Sequence, residues 1–160
     1  MTDLSPSPRG YFGIGIYQAK HFSNVGVLWR SAYQLGAAYL FTVGKRYRVQ
    51  PSDVYQSWKH LPMHNYPSSE AFAETLPFGC QLIGIEMDGT PLPEYNHPQR
   101  AVYILGAEDS GLPKHIIERC HDIVSIPAVR RVSYNVAMAG SIVMYDRLTK
   151  QIGKDRMGHG

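Results

Sequence analysis

The sequence predicts an α/β domain, a mostly parallel sheet flanked by helices. Three observations carry that expectation. Apolar runs of strand length, at 37–43, 81–85, 101–105 and 123–126, are nearly continuous, as in a sheet covered on both faces. They alternate with segments whose apolar residues recur at helical spacing. Gly and Pro stand at the joints between them.

In chain order, Gly13-Ile14-Gly15-Ile16-Tyr17 alternates small and apolar residues as a strand does. Ser23 or Asn24 can cap a helix that carries Val25, Leu28, Trp29, Ala32 and Leu35, and Gly36 stands where such helices end. The run Ala37 to Val43 is the second strand. Pro51-Ser52-Asp53 and Pro67-Ser68-Ser69-Glu70 have the form of helix starts, the second leading through Phe72 and Leu76. Strands follow at 81–85 and 101–105, and Pro113 opens a short helix through Ile116 and Ile117. A strand at Ile123–Ile126 stops at Pro127, and a last helix runs from about Tyr134 to Gln151, with Val136, Ala139, Gly140, Val143 and Leu148 on one side. Residues 1–10 read as a loosely held arm, 11–152 as the folded domain and 153–160 as a fraying tail.

Composition narrows the class. A chain of 160 residues, 44% apolar and 18% charged, has enough apolar content for one packed domain. Two cysteines, Cys80 and Cys120, make no disulfide framework and point to a reducing, cytoplasmic setting. No apolar run reaches the ~20 residues of a membrane span, and the first residues lack the basic and apolar regions of a secretory signal. The net charge of +3 permits a polyanionic partner without requiring one.

Several familiar signatures fail. Gly13-Ile14-Gly15 has Gln18 where a dinucleotide fingerprint needs its third glycine. Gly106 to Gly111 has the spacing of a phosphate loop, but Leu112-Pro113 replaces the required Lys-Ser/Thr. Cys120-His121 has no second ligand pair at zinc spacing, so no metal is expected. What remains is polar residues on loops at the carboxyl ends of the expected strands, where α/β sheets bind ligands. Asn24-Val25-Gly26 leads to Arg30, Gly106-Ala107-Glu108-Asp109-Ser110-Gly111-Leu112 follows a strand, and Ile126-Pro127 precedes Ser133-Tyr134-Asn135 and a small-residue helix.

These three stretches, in order and in register, resemble the three motifs of SPOUT-superfamily RNA methyltransferases of the SpoU (TrmH-like) branch. The motifs are Asn-x-Gly-x-x-x-Arg, Gly-x-Glu-x-x-Gly-Leu, and Ile-Pro followed by Ser-x-Asn. The likeness runs from Asn24 to the final helix, and is nearest to small single-domain members, which include enzymes methylating the ribose of the tRNA wobble nucleotide. Lys20-His21-Phe22-Ser23 replaces the Pro-rich lead-in of those enzymes, and the Arg130-Arg131 loop is one residue shorter. The resemblance implies a C-terminal deep trefoil knot, S-adenosylmethionine as cofactor, a tRNA or rRNA partner, a homodimer and methyl transfer to a ribose 2′-hydroxyl. Base methylation and a non-catalytic RNA-binding module are the alternatives. By position, the implied cofactor contacts are Ile85, Leu105, Gly106, Ile126, Ser133, Tyr134 and Val136.

The implied catalytic set is Asn24, Arg30, Glu108, Ser133 and Asn135. Arginine stays protonated in proteins, so Arg30 suits an electrostatic role, against a developing oxyanion or on a neighbouring phosphate. On residue type alone it is equally a solvated helix residue. Glu108 is either a general base or a brace for the loops, and Asn24, Ser133 and Asn135 are also ordinary helix caps. Ala139-Gly140-Ser141 marks close helix packing. Lys45-Arg46-Tyr47-Arg48 and Arg130-Arg131 have the composition of an RNA-contacting surface, with a solvated loop as the plain alternative for the first. No separate RNA-binding domain is expected within the chain.

Overall fold

The computed structural model describes residues 10–48, 56 and 59–158. Six strands form one sheet: β1 (Tyr11–Tyr17), β2 (Tyr39–Val43), β3 (Met63–Tyr66), β4 (Gln81–Pro91), β5 (Arg100–Leu105) and β6 (Asp122–Ser125). Their order is β3-β2-β1-β5-β4-β6, and every pairing is parallel. The helices are α1 (Phe22–Gln34), α2 (Ser69–Glu74), α3 (Lys114–Ile117) and α4 (Val136–Met157), with a short 3-10 turn at Leu92–Glu94.

Both faces of the sheet are apolar, which is why its strands read as continuous runs. On one face, Ile14, Ile16, Leu40, Ile83 and Tyr103 pack under α1 and α4 through Leu28, Trp29, Val143 and Met144. On the other, Phe41, Val43, Leu82, Val102 and Ile104 pack under α2 and α3 through Phe72 and Ile116. The alternating glycines of β1 belong to this second face. A Cβ at Gly13 would lie 2.3 Å from the Tyr39 ring, and one at Gly15 2.3 Å from the Phe41 carbonyl, so β2 aromatics lean across β1 only because these positions lack side chains. Gly140 fulfils the packing expectation: a Cβ there would stand 2.5 Å from Leu28, where α4 crosses α1.

The far end of the sheet is tied to α4 by one buried arginine. Arg147, 4% exposed, donates to the Pro98 and Gln99 carbonyls at 2.7 and 2.9 Å and to Tyr103 Oη at 3.1 Å, with its guanidinium 5.0 Å from the centre of the Phe12 ring.

The structure departs from the sequence reading at several places. Strand β3, with only Met63 and Tyr66 apolar, was not expected. It is an edge strand held by pairing with β2 and by Thr42 Oγ1 donating to Asn65 Oδ1 at 2.7 Å. The second strand starts at Tyr39 instead of Ala37, and Ile126 lies just past β6. Strand β4 continues to Pro91, with a register shift against β6 between Ile85 and Thr90. The last helix begins at Val136 and runs past Gly153 to Met157. Neither Ser23 nor Asn24 caps α1: the N-cap is His21, with no side-chain cap bond, and both residues lie in the first turn. The helix start at Pro51-Ser52-Asp53 and most of the N-terminal arm lie outside the described residues.

Candidate functional site

Because all strands run the same way, their carboxyl ends open together, and the second half of β4 and the loops leaving β5 and β6 enclose one cavity with the start of α4. Its volume is about 730 Å³, within the range of small-molecule sites. Ile85, Leu105, Ile126, Val136 and Ala139 supply apolar lining, and Glu86, Asp88, Glu108 and Asp109 bring carboxylates. Arg130 and Arg131 bring guanidinium groups to the same wall, so the rim is charged with both signs around an apolar interior.

One hydrogen-bond network joins the three loop stretches. Asn24 Nδ2 donates to Glu108 Oε1. Asn135 Nδ2 donates to Asn24 Oδ1 at 3.1 Å and to Glu108 Oε1 at 3.4 Å. The other end of the Asn135 amide, Oδ1, accepts from the Ala137 and Met138 amides at 3.0 and 3.3 Å and so caps α4. Asn135 is therefore both a cap and a bridge. Asn24 is only a bridge, its amide released from capping because α1 begins two residues earlier. Glu108 accepts from both asparagines, the geometry of a brace.

The loop after β5 is held in its own fold by groups that motif spacing does not mark. Glu86 Oε1 accepts the Leu112 amide at 2.5 Å, and Gly111 N donates to the Ala107 carbonyl at 3.0 Å. Gly111 adopts φ +64°, a left-handed conformation that favours glycine. A Cβ on Gly106 would lie 2.2 Å from the Gly111 carbonyl carbon. The space that glycine leaves at position 106 is taken by the returning loop. Lys20 pairs with Asp109 across the mouth, and each charge stabilises the other: the lysine is raised and the carboxyl lowered from their ordinary pKa values. The loop after β6 is closed by Tyr134 Oη donating to the Pro127 carbonyl at 2.9 Å.

All seven expected cofactor positions, Ile85, Leu105, Gly106, Ile126, Ser133, Tyr134 and Val136, line this cavity, as do Glu108, Arg130 and Arg131. Arg131 also lies 3.5 Å from Asp88. Arg30 does not line it. The residue is exposed on α1, six residues past Asn24, which places it about 9 Å along the axis and about 120° around. Lys45, Arg46 and Arg48 are exposed on the segment after β2, outside the lining. Tyr47 between them is buried edge-on against Phe22 and Trp29, at ring separations of 5.7 and 5.6 Å, so this basic segment is pinned to α1. Glu86, Lys20 and Asp109 were not anticipated. Glu86 lies within β4, just past the apolar run that marked the strand, where no motif singles it out.

Neither thiol enters the site. Burial pushes Cys120 up to about 11 and raises Cys80 as well. Among the described residues no group of three His, Cys, Asp or Glu side chains is arranged to hold a metal ion, and no helix is long and apolar enough to cross a membrane.

Fold and cavity together define an α/β domain with a small-molecule site at the carboxyl ends of parallel strands. The chain belongs to the SpoU rRNA Methylase family, whose sequence profile matches residues 12–145. An uncharacterized tRNA/rRNA methyltransferase of Archaeoglobus fulgidus is 27% identical over 128 residues, covering 76% of this chain and 57% of the relative. The chain thus spans little more than half the length of that relative. The SpoU methyltransferase AviRb of Streptomyces viridochromogenes, solved in complex with the cofactor AdoMet, superposes with a TM-score of 0.76 at 26% identity, covering 92% of this chain and 60% of that one. A structure concerned with 2-OH methylation of C/U34 on tRNA shares the fold, with a TM-score of 0.79 at 24% identity and coverage of 91% and 99%.

Proposed function

We propose that the protein is an S-adenosylmethionine-dependent RNA methyltransferase that modifies a ribose 2′-hydroxyl of tRNA or rRNA. The observation that carries the reading is the Asn24–Glu108–Asn135 network, which ties together three separate loop stretches beside a ligand-sized cavity. The lining suits the cofactor: apolar side chains for an adenine ring and strand-end backbone for its polar edges. When bound, S-adenosylmethionine supplies a methyl group already activated on sulfur. The chain's own residues must then orient the hydroxyl, accept its proton and stabilise developing negative charge.

In this reading Asn24 and Asn135 orient the loops and the ribose, Glu108 braces them and is the carboxylate at hand for the hydroxyl proton, and Ser133 lies on the cavity wall beside them. Arg30, standing off the cavity on α1, acts on RNA as a clamp on a phosphate near the reacting ribose. Arg130 and Arg131 contact the backbone nearer the cavity. The path of the chain from β6, at one edge of the sheet, back to α4 against α1 supports the knot that the resemblance implies. A homodimer and a cytoplasmic setting complete the proposal, the latter favoured by two unpaired, unreactive thiols.

Calorimetry of the purified protein with S-adenosylmethionine tests the reading: saturable binding is expected, and no heat at millimolar ligand would overturn it.

A further inference from the structure

The exposed flank of α1 carries a second arrangement that the cavity does not explain. Tyr33, 51% exposed, stacks on His60 with ring centres 5.2 Å apart and planes 26° from parallel. An exposed stacked pair orders side chains that gain little from each other in water, so its position must be fixed from beneath. Trp29 fixes it. The indole is buried, donates Nε1–H to the Leu61 carbonyl at 3.0 Å, and packs on Tyr47. One tryptophan thus draws three separate stretches, α1, the 45–48 segment and residues 59–61, onto a single surface.

The sequence of those stretches is predominantly basic. Five of the chain's 16 Lys and Arg fall between residues 21 and 69, against one of its 13 Asp and Glu. That acidic residue is Asp53, so the described stretches 21–48 and 59–66 contain no carboxylate. A predominantly basic surface interleaved with exposed rings complements a phosphate backbone with accessible bases. Paired bases are stacked within their own helix and offer no face to a side chain, so the ring pair selects unpaired nucleotides.

We propose that Tyr33 and His60 form a stacking platform for the base of an unpaired nucleotide, in an RNA loop whose flanking phosphates are held by Arg30 and Lys59. The platform lies about 13 Å along α1 from Asn24, so it holds a nucleotide other than the one at the cavity. This rests on the proposed function and sharpens it: the substrate presents a loop, gripped at a second nucleotide away from the reacting ribose.

The test is fluorescence anisotropy with two labelled RNAs of equal length, a hairpin with a seven-nucleotide loop and a fully paired duplex, on wild type, Tyr33→Ala, Tyr33→Phe and His60→Ala. Base stacking on an aromatic ring predicts that Tyr33→Ala weakens hairpin binding by about 10-fold, with Tyr33→Phe near wild type and His60→Ala between. Duplex binding is weaker and unaffected by all three. Unchanged S-adenosylhomocysteine affinity shows that the variants are folded. Wild-type binding of hairpin with no loss in Tyr33→Ala overturns the platform and leaves the proposed function standing. Equal sensitivity of hairpin and duplex overturns its selectivity for unpaired bases. Failure of the wild type to bind either RNA overturns the proposed function itself.

Discussion

Asn135 performs two tasks through opposite ends of one amide, and two substitutions separate them. Its Oδ1 accepts from the Ala137 and Met138 amides, and its Nδ2 donates to Asn24 and Glu108. Asn135→Ser keeps a good capping oxygen but has no donor long enough to reach across to Asn24. Asn135→Ala loses both. Loss of an N-cap costs about 1 kcal/mol, and for a domain of this size each kcal/mol lowers Tm by about 2–4 °C. The exposed position of Asn135 lets water take up the freed amides, which keeps the cost near that figure. Asn135→Ala should therefore melt about 3 °C below wild type and Asn135→Ser within about 1 °C, by calorimetric or circular-dichroism melting. Methyl transfer should fall alike in both, by about 100-fold, the cost of loops misplaced by about an ångström. An active Asn135→Ser would refute the bridging role, and equal melting of the two variants would refute the cap.

Other expectations concern single residues. Arg30→Ala should raise the KM for RNA and make the salt dependence of binding shallower by about one phosphate contact, with cofactor affinity retained; a fall in kcat at unchanged KM would place the guanidinium at the oxyanion instead. Gly106→Ala puts a Cβ within 2.2 Å of Gly111 and 2.4 Å of the Leu112 nitrogen, so the loop must shift, lowering Tm by a few degrees and cofactor affinity by about 10-fold or more. His97 sits between Tyr103 Oη at 2.6 Å and Asp146 Oδ2 at 2.7 Å, where burial lowers its pKa despite the carboxylate. The neutral ring completes the chain of bonds: Nε2–H donates to Asp146, while Nδ1 accepts from the Tyr103 hydroxyl, whose oxygen accepts a hydrogen bond from Arg147 Nη1. The unfolded chain protonates His97 below about pH 6.5 and the folded one does not until lower pH, so its contribution to stability is full above 6.5 and declines below it. His97→Gln should flatten the fall in Tm between about pH 6.5 and 5; an unchanged slope would show that His97 does not titrate in that window.

How far the sequence disclosed this molecule depended on whether each feature was local. The buried strands β1, β2, β4 and β5 were legible because two covered faces demand apolar residues at nearly every position. Strand β3 was not, since Met63-His64-Asn65-Tyr66 is specified by its partner: Asn65 Oδ1 takes the Thr42 hydroxyl and the Tyr47 amide, neither of them near in sequence. The end of α4 was set too early at Gln151, ahead of Gly153, a position where a side chain would meet nothing and glycine costs the helix only its propensity. Residues at the site divide the same way. Motif positions marked the cavity-lining loops, but whether Asn24 capped a helix or bridged two loops depended on where α1 begins. Glu86 could not be found from spacing, because its partner, the Leu112 amide, is 26 residues away on another strand's loop.

The central claim is methyl transfer to a ribose hydroxyl of RNA, and the direct measurement is nucleoside mass spectrometry. Unmodified tRNA and rRNA transcripts are incubated with the protein and S-adenosylmethionine carrying a deuterated methyl group, then digested to nucleosides. A trideuteromethyl group retained on the ribose fragment, and formed about 100-fold more slowly by Asn135→Ser, is the predicted result. Label on the base, or no label with the wild-type protein bound to both cofactor and RNA, would contradict it.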